Sequence, residues 1–387
     1  MFILPVKLHE GGVMLLTIIE VSPVKTKKDL KDFIKLPWKV YKDDTQWVPP
    51  LISQQKVLFD KSKHPFFEHS EADFFIARQD GKTVGTIVAI LNNRHNKVHN
   101  ENVGFFGFFE TIKDYEVAKK LLDTVMEWAQ KKSLDYIRGP ENYSQNDVCG
   151  LLVDGFDTPP VILMAHNPPY YQNFIEEYGF TKAMDMWAYC MDKTTQIPAR
   201  VVKIVERIKE RSNVNFRSIN KKDIKNEVER VKQVYNHAWE KNWGFVPLTD
   251  HEIDHIADEL KQIIDQDIAF FAEVGDQPVG FSLAVPDINQ ALQKLNGRLV
   301  PFGIFKLLYH ARKIDRLRVI IMGVITDYRN KGIDSVFYLD TYRKAIEKGY
   351  NWGEFSWILE NNDPMNIALR NIGAKVYKTY RIYEKKV

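Results

Sequence analysis

The chain repeats itself. Thr26-Lys27-Lys28-Asp29-Leu30-Lys31 returns as Asn220-Lys221-Lys222-Asp223-Ile224-Lys225, an offset of 194 residues. Tyr41 and Tyr235 keep that offset, Phe74-Phe75 pairs with Phe270-Phe271 at 196, Gly85 with Gly280 at 195, and Gly179 with Gly373 at 194. Markers spread over most of both halves at nearly one spacing are the signature of a duplicated unit. A length of 387 residues also exceeds what one ordinary core supports. Two units are therefore expected, 14–195 and 196–387, meeting in the polar, Pro-containing segment from Lys193 to Ala199.

Each unit reads as an opening strand (Leu16 to Val21; Val214 to Ile219), a helical stretch, a hairpin, a long helix and a closing strand pair. The hairpins run from Asp73 to Ala89 and from Ile268 to Val285, with turns at Asp80-Gly81 and Gly275-Asp276. Between the units, Val201, Val202, Ile204, Val205 and Ile208 fall at helical spacing within Arg200 to Ser212, which reads as a bridging helix. In the second unit, Val319 to Thr326 is a nearly unbroken apolar run, as a strand covered on both faces requires. Arg329-x-x-Gly332 follows. Val336, Leu339, Tyr342 and Ile346 then recur at helical spacing, and Phe355 to Leu359 reads as the next strand. Gly332 places a residue without a Cβ where strand turns into helix, so backbone N–H groups there can face a phosphate.

At these residues the second unit resembles the GCN5-related N-acetyltransferase (GNAT) superfamily, whose turn has the form Arg/Gln-x-x-Gly-x-Gly/Ala and cradles the pyrophosphate of acetyl-CoA. Glu360-Asn361-Asn362-Asp363-Pro364-Met365, with Leu369 and Ile372-Gly373, resembles the segment that follows that fold's fifth strand. The resemblance implies an α/β (α+β) chain of two tandem GNAT-like folds, with mixed β-sheets flanked by helices. It also implies a site for acetyl-CoA or a longer acyl-CoA at Val324, Ile325, Arg329, Asn330, Lys331, Gly332 and Asn362. Asp334 departs from the pattern. A carboxylate about 7 Å from a phosphate charge costs roughly 0.6–2.4 kcal/mol per unit charge, against which stand Arg329, Lys331 and a helix N-terminus contributing about 0.3–1 kcal/mol. In the first unit Glu116 stands against Arg329 and Lys119 against Gly332, so that copy is expected to have lost its CoA site.

The first unit carries instead a long aperiodic loop, 139–160, followed by Asn167-Pro168-Pro169-Tyr170-Tyr171. Loops of this length in a compact domain are usually functional. The run Gly139-Pro140, Asn146-Asp147-Val148-Cys149-Gly150-Leu151-Leu152, Gly155-Phe156-Asp157-Thr158-Pro159-Pro160 and the ending Tyr377 to Lys385 resemble a bacterial subfamily of tandem GNAT proteins. That resemblance covers nearly the whole chain from Met14 and extends to relatives that N-acylate long-chain bases. It implies a primary amine acceptor, small or lipid-like, with Asn146, Tyr170 and Tyr171 as candidate contacts. The second unit has its own insertion, 286–318, where apolar Leu299, Val300, Phe302, Ile304, Phe305, Leu307 and Leu308 interleave with Arg298, Lys306, Arg312, Lys313, Arg316 and Arg318. Such a segment is either a lid packed on the sheet or a peripheral membrane contact, since amphipathicity alone does not discriminate.

Direct acyl transfer to an amine needs a base, a donor at the thioester oxygen and a route for the leaving thiolate. The resemblance implies a backbone donor near Val324. The family's usual acid, a Tyr four residues before the closing Gly, is replaced by Leu369 here and by Ile175 in the first copy. Candidate bases are Asp147, in the long loop, and Glu354, which alternates with large aromatics on a strand where burial raises a carboxyl pKa. A structural ion network explains Glu354 equally well. Cys149 reads as a small buried apolar residue. His251-Glu252-Ile253-Asp254-His255 matches a zinc-protease pattern, but Thr249-x-x-Glu252 is a capping box. Both His residues are expected to point away from the buried face of that helix, so no metal site is assigned. His95 and His99 fall in a stretch that reads as a polar loop.

The expected function is an acyl-CoA-dependent N-acyltransferase; the alternative is a non-catalytic acyl-CoA- or lipid-binding or structural protein. A net charge of +3 with mixed signs gives no nucleic-acid footprint. Two cysteines and apolar runs of about eight residues, less than half a membrane span, fit a reducing cytoplasm. Residues 1–13 look foreign to the rest, and Glu10-Gly11-Gly12 can be encoded by a purine-rich ribosome-binding sequence, so Met14 is the expected start. Acceptor identity, acyl length and oligomeric state are left open by the sequence.

Overall fold

The computed structural model describes residues 18–240 and 242–387; the expected start at Met14 lies outside them. The strands are β1 (Ile19–Pro23), β2 (Glu71–Gln79), β3 (Lys82–Leu91), β4 (Val103–Thr111), β5 (Tyr136–Gly139), β6 (Leu151–Asp154), β7 (Thr181–Asp192), β8 (Asn215–Ser218), β9 (Ala269–Val274), β10 (Gln277–Pro286), β11 (Arg316–Val324), β12 (Trp352–Leu359) and β13 (Lys375–Lys386).

The repeated residues prove to be repeated devices. Thr26 caps the helix Lys27–Lys35 in a capping box with Asp29, and the side chain of Asn220 caps the turn that leads into the helix Ile224–Trp239. Both spare N-terminal N–H groups from going unpaired. Gly85 and Gly280 lie under the long helices Tyr115–Lys131 and Ile333–Glu347. A Cβ on Gly85 would stand 2.7 Å from Leu121, and one on Gly280 3.2 Å from Phe337, so each lets a helix lie close on its strand. Gly179 (φ +96°) and Gly373 (φ +93°) close helices Tyr170–Glu177 and Asp363–Asn371 in the left-handed conformation that only glycine adopts without strain.

The bridging helix is present at Ala199–Arg211. It packs Val205 against Val336 and Leu339, covering Ile333–Glu347 on the side away from the sheet. That helix is therefore apolar on two faces, and Ile346, expected in its core face, is 39% exposed.

The strands form one sheet ordered β1-β2-β3-β4-β5-β13-β7-β12-β11-β10-β9-β8, with β6 paired to β13. The closing strands cross over. β7, from the first half, pairs with β12 of the second, and β13, from the second half, pairs with β5 and β6 of the first. Side chains tie the crossover: Arg381 forks onto Asp185 at 2.7 and 3.0 Å, Arg138 reaches Glu384 at 3.0 Å, and Tyr383 donates to Glu176 at 2.8 Å.

Two further local expectations are corrected. Residues 93–99 are a helix capped by Asn92, not a polar loop, with His95 buried against Glu101 at 3.0 Å. Burial lowers the pKa of His95 to about 4. The insertion ends sooner than read, because Arg316–Arg318 already belongs to β11 and Arg318 is buried.

Candidate active site

In the second half β11 and β12 run parallel and pair only from Arg316–Trp352 to Val319–Phe355. Beyond that register both strands continue without pairing each other, so the sheet splits. The Ile325 N–H is bonded to the Val279 carbonyl at 3.0 Å, on the β10 side. Strand alternation then directs the N–H groups of Val324 and Met322 to the opposite side, toward the split.

At the end of β11 the chain turns through Thr326–Tyr328. Arg329 braces this turn, with Nε donating to the Val324 carbonyl at 3.2 Å and Nη2 to the Ala238 carbonyl at 2.7 Å. Lys331 stands 4.2 Å from the centre of the Tyr328 ring. Gly332, at φ +77°, starts the helix Ile333–Glu347 with no side-chain cap bond, so the first N–H groups are left to an outside acceptor. Asp334 sits in that first turn. Across the split Asn362 caps the next helix by accepting from the Met365 N–H at 3.4 Å.

The equivalent split in the first half is plugged by the chain itself. β4 and β5 pair only from Val103–Tyr136 to Phe105–Arg138. The Phe108 N–H then donates to Asn142 Oδ1 at 2.8 Å, the Thr111 N–H to the Tyr171 hydroxyl at 2.7 Å, and the Tyr170 hydroxyl to the Thr111 carbonyl at 2.8 Å. Tyr170 and Tyr171 thus serve the first half's structure, although Tyr171 also borders the cavity described next.

A cavity of about 1070 Å³ lies between the halves. One wall is the split itself, through Ile320, Met322, Phe355 and Trp357, with Asn362 at its edge. The long loop of the first half also lines the cavity, through Ser144, Asn146 and Asp147. A third side is apolar and comes from the insertion, through Leu299, Ile304, Leu307 and Leu308. The structure therefore brings Asn146, Asp147, Tyr171 and Asn362 to one space, whereas Tyr170, Glu354 and the turn from Val324 to Gly332 are not on its wall.

Asp147 is the carboxylate of the loop wall. Burial raises its pKa to about 7, helped by Glu252 and Glu259, while the Ser144 hydroxyl, donating at 2.8 Å, works the other way. Asn146 beside it is fixed at both ends: its Oδ1 accepts from Tyr235 at 2.9 Å and its Nδ2 donates to the Val246 carbonyl at 2.9 Å. Glu354 is fully buried. It accepts from the hydroxyls of Ser356 and Tyr377, and Arg318 donates to Ser356 Oγ at 2.9 Å. Burial raises the Glu354 pKa and Arg318 opposes that rise. This is the ion network that alternation on a strand could not tell from a base.

Sequence reasoning missed Glu110, which lines the cavity and accepts from Tyr41 at 3.1 Å and Tyr171 at 2.8 Å. Burial raises its pKa to about 8. A lone acid in the apolar run Phe105 to Thr111 was the available signal. Cys149 is buried, with Sγ 3.9 Å from the Gln145 carbonyl, and burial raises its pKa. Leu369 is fully buried.

The capping box at Thr249 and Glu252 is present, with the Thr249 N–H donating at 2.7 Å and the Glu252 N–H at 3.1 Å. Of the two neighbouring His residues expected to face away, His251 is exposed and only the expectation for His255 is corrected. His251 meets Glu68 at 2.6 Å, and His255 lines the cavity with its ring 5.5 Å from that of His64. This helix packs on the first half, a contact that local periodicity does not encode. Among the described residues no group of three or more His, Cys, Asp or Glu is placed to hold a metal ion.

No family model matches the chain. It is 35% identical to protein YghO of Escherichia coli over 93% of this chain and 94% of that one. It is also 35% identical to the bacterial ceramide synthase of Caulobacter vibrioides, over 95% of this chain and 97% of that one. Among solved structures, a tandem GNAT protein from the clavulanic acid biosynthesis pathway superposes with a TM-score of 0.55 at 10% identity, over 95% of this chain and 98% of that one. A GCN5-related N-acetyltransferase from Sphaerobacter thermophilus gives 0.50 at 12% identity, over 95% of each chain. At such identities the solved structures speak for the fold alone.

Proposed function

The chain belongs to the bacterial tandem GNAT acyltransferase family that includes the Caulobacter vibrioides ceramide synthase, and on that premise we propose that it transfers an acyl group from acyl-CoA to a lipid-like primary amine held in the cavity between its halves. The observation that carries the proposal is the cavity's construction, which brings residues of a split strand pair, a buried carboxylate of raised pKa and an apolar stretch of the insertion to one space. Residues 196–387 take the CoA side and 14–195 the acceptor side, in a cytoplasmic protein.

The acyl-CoA fits the residues present: uncapped N–H groups follow Gly332, and the strands part at the point where a thioester would lie. Bound there, it supplies an activated acyl carbon and a thiolate that leaves without full protonation. The backbone from Asn330 to Gly332, with Lys331, would face the pyrophosphate. Arg329 positions that turn through its two carbonyl bonds. The N–H of Val324 is the donor for the developing oxyanion. Asp147 takes the proton from the ammonium, which frees the nitrogen lone pair for attack. Tyr235 and Val246 hold Asn146 beside it to orient the acceptor. Glu354 acts as a positioning residue that ties Ser356 of β12 to Tyr377 of β13. The apolar wall favours an acyl or acceptor chain longer than acetyl.

Calorimetric titration with acetyl-CoA and with a long-chain acyl-CoA tests the cofactor side. Binding should favour the long chain and weaken by about tenfold or more in Arg329→Glu, about 1.4 kcal/mol or more, because the variant unpins the Val324 carbonyl and puts an anion beside the phosphates. Absence of binding by either thioester would sink the proposal. Binding without turnover across a panel of amines would leave a binding protein instead.

The pH profile tests the base. With its pKa near 7, Asp147 must be ionised to accept a proton, so kcat/KM should rise with pH through about 7 on its acid side. An acid limb that persists unchanged in Asp147→Asn would assign the base elsewhere.

A further inference from the structure

Residues 288–314 contain no Asp or Glu but hold Lys294, Arg298, Lys306, Arg312 and Lys313. These five charges exceed the net +3 of the whole chain, so the remainder is net negative. All five are exposed. The same segment exposes Val300 (82%), Phe302 (70%), Phe305 (68%), Leu308 (57%) and Tyr309 (57%). Ile304 (42%) belongs to the same segment, and the other large exposed apolar side chains among the described residues are scattered along the chain.

The helix Gly303–Ala311 has no buried residue, yet it is apolar on two faces. Ile304, Leu307, Leu308 and Ala311, at helical spacing, line the cavity. Phe302, Phe305 and Tyr309 project from the other side, and Lys313 reaches the Tyr309 hydroxyl at 2.7 Å. A protein surface in water seldom leaves so many large apolar groups together. Aromatic side chains flanked by cations are what an interfacial helix presents to anionic lipid.

We propose that 298–313 docks the protein on an anionic bilayer. Phe302, Phe305 and Tyr309 enter the acyl boundary, and Arg298, Lys306, Arg312 and Lys313 meet the headgroup phosphates. The helix then stands between bilayer and cavity, and a lipid amine passes across Leu299, Ile304 and Leu308 without crossing water. Only this last step rests on the acyl-transfer reading; the docking does not.

The test is flotation of the full chain with vesicles of phosphatidylcholine, and with vesicles in which about a third of the lipid is phosphatidylglycerol. Wild type, F302S/F305S and R312E/K313E are compared after thermal melts establish that all three are folded. Wild type should float with the anionic vesicles and less so in high salt. Reversing the two charges should weaken partitioning by about fivefold or more per charge. F302S/F305S should stay unbound, while turnover of a water-soluble amine holds at the wild-type level. Wild type that ignores anionic vesicles overturns the proposal, as does F302S/F305S floating like wild type. A wild-type dimer that F302S/F305S converts to monomer would reassign the patch to a second copy of the chain. Flotation with no turnover of any amine would preserve the docking and sink the acyl-transfer reading.

Discussion

Asp147→Asn is expected to lower kcat by about 10²–10⁴-fold, the usual contribution of a positioned general base, with little change in acyl-CoA affinity. The amide keeps the shape and can still accept from Ser144, but it cannot take the ammonium proton. Stability supplies a readout that does not depend on activity. The folded pKa of Asp147, about 7, lies above its ordinary value of 3.8. Its protonated form therefore favours folding fully below about pH 3.8, and that contribution is lost as pH rises to about 7. The Asn variant should gain melting temperature relative to wild type at pH 8 but not at pH 4. An unchanged kcat in a folded Asp147→Asn protein would remove Asp147 from the mechanism. Glu110, the other elevated carboxylate on the cavity wall, would then be the next candidate.

Ending the chain at Ala374 is expected to abolish cooperative folding of both halves, not merely of the second. β13 pairs with β5, β6 and β7 and buries Tyr380, Ile382 and Tyr383. Lys378, with no exposed surface, donates to the carbonyls of Gly155 at 2.6 Å and Thr158 at 2.8 Å, inside the first half's long loop. At about 1.5–3 kcal/mol for each buried apolar side chain, the three together approach the whole stability of an ordinary domain, about 5–15 kcal/mol. Circular dichroism on heating would show no sharp transition, and a peptide covering 375–387 should restore one. A truncated chain melting cooperatively within a few degrees of wild type would mean that the exchanged strand is dispensable.

Periodicity and punctuation made much of this fold legible. The hairpin turns, the paired glycines Gly179 and Gly373, the bridging helix and the capping box at Thr249 each rest on interactions within a few residues of chain. The site was legible in part for the same reason. A strand, then Arg-x-x-Gly, then a helix marks a turn that leaves N–H groups free, and an aperiodic loop rich in Asn and Asp marks a wall. The helix at 93–99 was missed because its first turn depends on Asn92 and its buried His95 on Glu101, a pairing that no apolar stripe announces.

The repeated residues and the succession of strands and helices in each half were determined by the sequence alone, because local backbone chemistry dictates them; that the first half lacks a cofactor turn is an expectation drawn from Glu116 and Lys119. Tertiary structure decided which half completes which sheet. β7 and β13 are both partly apolar strands, and what marks the exchanged arrangement is the set of bonds β13 makes to the first half, Arg138 to Glu384 and Lys378 to the Gly155 and Thr158 carbonyls. It decided also that Asp147 faces the cavity while Glu354 lies behind its wall. Alternation on a strand puts a side chain on one face or the other, but which face borders the cavity depends on what packs against it from the other half.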